Sequence, residues 1–312
     1  MYFANNPADK NFCDSVLQAF LKASEESPSL RMHALVDAGF DEEGFAALAK
    51  TFRAPAVPVY ADTPYSGGIE IGPHLLEINV TGALAAQQEI NRLLALRGNR
   101  PMLSLWATGL DAPALAAQWR PFVSAQLEDG TSYLLRFADT RVLHSLIAIL
   151  NPAQYAQLLP GSTQIWMPDR SGKTISTGNK GEGRHAPVTQ LVLDKTQFNT
   201  LMDSAEPDAI IDMMTDGDAS AYASATGAAL HDFVNAQIKR AHKYRITQTP
   251  DLTSYCELAW SNGPGFDQDE QINPALLKIT PSHRLVNVLP EVPARAWLRL
   301  RAQHWKTSTD SQ

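Results

Sequence analysis

Short strand-like runs alternating with helical stretches fill the first half of this chain and vanish from the second, and that change limits the fold more than any other feature. Met32-His33-Ala34-Leu35-Val36, His74 to Val80 and Met102 to Trp106 have the length and apolar content of buried strands. Helical spacing relates Phe12, Val16, Leu17, Phe20 and Leu21 before the first of them. Asp41 is placed to cap a helix running to Ala49, with Glu42 and Glu43 in its positively polarised first turn. A further helix spans Ala83 to Leu96, and Asp111 with Pro113 marks another helix start. Asp129-Gly130 lies between Phe122–Leu127 and Tyr133–Phe137 and signals a hairpin, because glycine accepts positive φ. Asp139 precedes a helix from Arg141 to Leu150 that Asn151-Pro152 terminates. The pattern predicts an N-terminal α/β lobe over residues 1–168 with a mixed sheet, the hairpin being antiparallel.

Residues 169–187 hold four glycines and little to bury, and read as a flexible linker or loop. Beyond it Leu191 to Met202, Asp208 to Met214, Tyr222 to His242 and Leu252 to Trp260 read as helices, with Pro207 and Pro250 at helix starts. The expected fold class is therefore α+β or α/β, a mixed-sheet lobe followed by an all-helical lobe over 188–280. Residues 281–312 form a C-terminal extension with a disordered polar end.

Chemistry is sparse. The net charge of −7 gives the chain as a whole no electrostatic footprint for nucleic acid. No apolar run approaches the ~20 residues that cross a bilayer, and the N-terminus lacks a signal-peptide pattern, so a cytoplasmic location without membrane insertion is expected. The two cysteines, Cys13 and Cys256, lack zinc-ligand spacing. Ser171-Gly172-Lys173-Thr174 resembles the end of a phosphate-binding loop, but Met167 stands where the first glycine is required. His33 and His144 lie on apolar elements and read as packed side chains, while His231 and His242 are too far apart along one helix to share a metal. No serine has a nucleophile-elbow context. Asp37 ends a strand, and Arg136, Asp139 and Arg141 cluster in sequence. Capping and ion pairing account for them, with a hydrolase or transferase using these groups as the competing reading. Lys239, Arg240, His242, Lys243 and Arg245 end the long helix, where its dipole favours cations. Lys239, Arg240 and Lys243, with the aromatic anchors Trp260 and Phe266, are the candidate partner-binding residues. No catalytic, cofactor or metal residue is assigned.

The order of landmarks resembles the type VI secretion adaptor family, the effector chaperones of Gram-negative bacteria. The likeness rests on His33-Ala34-Leu35-Val36-Asp37-Ala38-Gly39, Gly72-Pro73-His74-Leu75-Leu76, Trp106, Leu127-Glu128-Asp129-Gly130, the run Leu135 to Leu143, and Ile165-Trp166-Met167-Pro168. Asp251-Leu252 with Tyr255, and Gly265-Phe266-Asp267, continue it to about residue 280. Where that family tends to read arginine-phenylalanine-tyrosine-aspartate-proline-arginine, Ala138 and Thr140 stand for the tyrosine and proline, leaving Arg136, Asp139 and Arg141 in register. The resemblance implies that Asp37, Gly72, Pro73, Trp106, Arg136, Asp139 and Arg141 are structural motif residues. It also implies a non-enzymatic cytosolic protein without cofactor that binds a secreted effector, usually near the effector's N-terminal region, and helps load it onto the VgrG spike.

Overall fold

The computed structural model describes residues 3–179 and 188–309. The fold is α+β, and the chain divides into two compact units, Asn5–Ala205 and the stretch from Glu206 onward with Phe3 and Ala4. In chain order the first unit contains α1 (Phe12–Glu26), β1 (Arg31–Asp37), α2 (Glu42–Ala49), β2 (Val57–Pro58), β3 (Pro73–Glu77) and α3 (Ala83–Arg97). There follow β4 (Leu103–Thr108), α4 (Ala112–Trp119), β5 (Ser124–Leu127), β6 (Ser132–Leu134), α5 (Thr140–Ile149) and α6 (Pro152–Leu158). The unit closes with β7 (Gln164–Pro168), β8 (Thr174–Gly178), β9 (Leu191–Leu193) and the start of α7 (Lys195–Asp218).

Six strands form a sheet in the order β2-β3-β1-β4-β7-β8, and every pairing in it is antiparallel. Parallel pairing is confined to a second sheet, β6-β5-β9, where β5 runs parallel to β9. The expected mixed pairing thus belongs to the small sheet. The large sheet is covered on both faces, which is why its central strands are apolar without alternation. Met32, Ala34, Val36, Leu103 and Leu105 pack with Phe12, Val16, Ile90 and Leu93 of α1 and α3. Leu35, Trp106, Ile165 and Met167 project to the opposite face and pack with Leu115, Trp119, Leu143, Leu146 and Leu158 of α4, α5 and α6.

Local capping follows the chemistry. Asp41 accepts the Gly44 N–H, Asp111 the Ala114 N–H and Asp139 the Arg141 N–H, each satisfying a donor that a helix start leaves unpaired. Asn151-Pro152 ends α5 and also begins α6, with Asn151 and Gln154 forming a reciprocal capping box.

The expected loop at 169–187 is in part a strand. β8 pairs with β7 from Pro168↔Thr174 to Gln164↔Gly178, closed by a turn in which Gly172 N–H donates to the Asp169 carbonyl. An edge strand buries little, so Thr174-Ile175-Ser176-Thr177 has no need of an apolar signature. Residues 180–187 of that expected linker lie outside the described residues. The lysine–glycine pair of the phosphate-loop near-match is this turn. Gly172 has φ +88°, and a Cβ there would lie 2.0 Å from the Pro7 carbonyl oxygen. Glycine is required by that close backbone approach.

Leu191–Leu193 is also a strand, with Asp194 capping the helix that follows through the Gln197 N–H. The helix expected from Leu191 therefore starts later. Pro207 sits inside α7 instead of opening a helix. The units divide between Ala205 and Glu206, later than the expected boundary.

The second unit continues with α8 (Gly227–Ala241), α9 (Thr249–Asn262), α10 (Asn273–Leu276), α11 (Leu285–Val288) and α12 (Ala294–Thr309). Leu230, Val234, Ile238 and Ala241 form the buried stripe of α8 and meet Leu252, Tyr255, Cys256 and Ala259 of α9. The stretch from 281, expected as an extension, belongs to this core. Leu285, Val288, Val292 and Ala296 are buried in it, with Trp297 and Leu300 packed alongside. Residues 310–312 lie outside the described residues.

Candidate functional site

Three landmarks separated by up to a hundred positions meet at the C-terminal end of β1. Antiparallel pairing places Pro73 opposite Asp37, and the Ala38 N–H donates to the Gly72 carbonyl. From the segment between β6 and α5, Arg136 reaches the same point. Its Nε and Nη2 donate to both Asp37 carboxylate oxygens at 2.9–3.1 Å. The Gly39 N–H also donates to Asp37 Oδ1. The Arg136 guanidinium lies 4.9 Å from the centre of the Phe40 ring, a cation–π contact.

Exposure is uneven across the pair, with 45% of the Arg136 side chain accessible against 2% for Asp37. Burial pushes the Asp37 carboxyl upward, against the pull of Arg136. Tyr60 walls the site. Burial and the charge of Asp37 push its hydroxyl up to about 12. A Cβ on Gly72 would lie 2.5 Å from the Tyr60 ring, so glycine at 72 lets that ring pack against the backbone beside the ion pair.

Asp139 is held separately. Besides capping α5, it accepts Nε and Nη2 of Arg141 at 3.0 and 2.6 Å. The Asp139 N–H donates to the Arg136 carbonyl, so both ion pairs hang from one short backbone segment. Trp106 lies in the core, its Nε1–H donating to Ser104 Oγ and its ring edge-on to Trp119 at 4.5 Å.

The proposed partner-binding residues do not come together as one exposed set. Phe266 is 1% exposed and sits in the helical core, which removes it as a surface anchor. Trp260 is half-buried, edge-on to Phe233 and donating its Nε1–H to the Ala221 carbonyl. Arg240 is bound to the buried Asp267 carboxylate. Lys239 and Lys243 are exposed. His144 is exposed as well, contrary to the expected packing, because α5 turns that position away from its buried Leu143 and Leu146. Tyr60 and Phe40 were not singled out by spacing or motif, and only tertiary contact identifies them.

Two buried histidines flank the motif strands. His33 Nε2 lies 2.9 Å from the Leu110 carbonyl, which fixes the neutral ring with the proton on Nε2. His74 Nδ1 is 3.0 Å from the Gly72 carbonyl, and its ring stacks obliquely on Phe45. Burial lowers both below the ordinary value of 6.5. The native state therefore binds fewer protons than the unfolded chain, and stability is lost as pH falls below about 6.5. We expect urea unfolding to show stability declining as pH falls through that window, by at most about 1.4 kcal/mol per pH unit for each histidine. His33→Gln should remove one proton from the dependence. A flat profile between pH 7.5 and 5.5 would contradict this.

Both thiols are buried, and burial raises Cys13 to about 11 and Cys256 to about 12, leaving them protonated at neutral pH. Among the described residues no group of three or more His, Cys, Asp or Glu could hold a metal ion. No helix among them is long and apolar enough to cross a membrane.

The fold and site define an α+β protein in which an ion pair links distant motifs at the end of β1. Residues 32–157 match DUF4123, a domain of unknown function. That span begins in β1, ends in α6 and contains every residue of the Asp37–Arg136 site. No curated protein and no solved structure matches the chain.

Proposed function

We propose that this protein is a non-catalytic adaptor that binds a type VI secretion effector in the cytosol and helps load it onto the VgrG spike. The observation that carries the reading is that the domain match at 32–157 covers the landmarks from His33 to Leu143 that resemble the effector chaperones, and that Asp37, Gly72-Pro73 and Arg136 among them meet at one ion pair. Support comes from the state of the carboxylates. Asp37 is shared between Arg136 and the Gly39 N–H, and Asp139 between Arg141 and the start of α5. Each carboxylate is thus engaged in capping or ion pairing, the structural role weighed against a hydrolase or transferase.

Co-expression with a type VI toxin and a spike protein from the same genome is the test. The toxin should co-purify with this chain and should lose secretion when it is absent. Capture of neither toxin nor spike would sink the adaptor reading. A catalytic activity abolished by Asp37→Asn in a folded protein would favour the enzyme instead.

A further inference from the structure

Arg97, the last residue of α3, is 1% exposed and has no carboxylate partner among the described residues. Its Nη1 donates to two backbone carbonyls, Gly98 at 2.8 Å and Asn6 at 3.4 Å, while Nε has no acceptor. Burial alone lowers it to about 10. Beside Asn6, the Asn5 side chain is also buried, and its Nδ2 lacks an acceptor. Two buried donor groups, one of them cationic, thus stand without the anion that normally compensates such a site. Carbonyls at a helix C-terminus suit a cation, yet they leave the Nε unsatisfied.

The segment that supplies the Asn6 carbonyl is held largely by polar contacts to a turn. Residues 5–9 run beside the β7–β8 turn, with the Asn6 N–H donating to the Arg170 carbonyl and the Asp9 N–H to the Gly172 carbonyl. Pro7, Asp9 and Lys10 are exposed. Lifting this strap would hydrate a buried cation, and that gain offsets part of the cost of breaking the strap's own contacts.

We propose that residues 5–9 are a displaceable strap over a carboxylate-binding site centred on Arg97, and that an extended acidic segment of a partner protein takes the strap's place. A carboxylate there would accept Nε and Nη together in the two-pronged geometry that backbone carbonyls do not provide. The β7–β8 turn carbonyls would be left to the incoming backbone. This deepens the adaptor reading by naming the chemistry of the segment bound. Its test uses neither effector nor spike, so the two can fail separately.

Hydrogen exchange of the full chain should be followed at the Asn6 and Asp9 amides with end-blocked tetraglutamate and with end-blocked tetraglutamine at matched ionic strength. Tetraglutamate should speed exchange at both amides by about tenfold, by shifting the opening equilibrium, while tetraglutamine leaves them unchanged. Arg97→Met should abolish the response. Should that variant not fold, Arg97→Lys, which cannot make the two-pronged contact, should weaken it. No acceleration in the native chain, an equal effect of tetraglutamine, or an undiminished response in the Arg97 variant would overturn the proposal.

Discussion

Trp106→Ala is expected to lower the stability of the first unit by about 4 kcal/mol, the upper part of the range for removing a buried aromatic side chain. The indole lies at the centre of the layer between the large sheet and α4, edge-on to Trp119, which is itself edge-on to Phe137 at 5.6 Å. Trp119 is anchored by its Nε1–H to the Leu158 carbonyl, so it cannot swing freely into the space left behind. The Ser104 hydroxyl, fully buried, would also lose the indole N–H it accepts. Trp106→Phe keeps the ring and loses only the hydrogen bond and some volume, and should cost about 2 kcal/mol. Urea titration monitored by circular dichroism distinguishes the two. Equal losses in both variants would mean that the tryptophan is not packed as described.

Arg136→Ala should cost about 3 kcal/mol, and more than Asp37→Asn, although the two substitutions break the same pair. The asymmetry follows from exposure. Without Arg136, a carboxylate that is 2% exposed keeps only the Gly39 N–H as a described partner. Without the Asp37 charge, an arginine that is 45% exposed can turn to water and retain the Phe40 ring. Asp37→Asn is therefore expected to cost about 1 kcal/mol, the net worth of hydrogen bonds exchanged for weaker ones. Burial raises Asp37, so the native state binds more protons than the unfolded chain above 3.8, and its contribution to stability falls as pH rises through its folded value. Arg136→Ala should deepen that dependence, because the remaining attraction for the ionised form is gone. Adding Asp37→Asn to Arg136→Ala should recover most of the loss. A double variant no more stable than Arg136→Ala would place the cost elsewhere, in the Phe40 contact or in the backbone around Asp139.

Much of the first unit could be read from the residues because its signals are local. A capping aspartate acts within three positions of itself, which made Asp41, Asp111 and Asp139 legible. Continuous apolar runs followed from a sheet covered on both faces, so β1 and β4 were legible too. β8 and β9 were not, since an edge strand and a three-residue strand bury too little to impose a pattern. The helix expected from Leu191 begins only at Lys195, because apolar residues at both ends of Leu-Val-Leu fit either period over so short a span.

Sequence alone determined that Asp37, Gly72-Pro73 and Arg136-Asp139 were landmarks whose order resembles a secretion adaptor. It also determined that no recognisable nucleophile or metal motif accompanies them. Only the tertiary structure decided that Asp37, Gly72-Pro73 and Arg136 form one place, that Tyr60 and Phe40 adjoin it, that Phe266 is interior, and that Arg97 is buried without an acid among the described residues. The physical reason is range. Helix caps, turns and periodicity are set by neighbours a few bonds away, whereas burial and ion pairing depend on which distant segments the sheet order brings together.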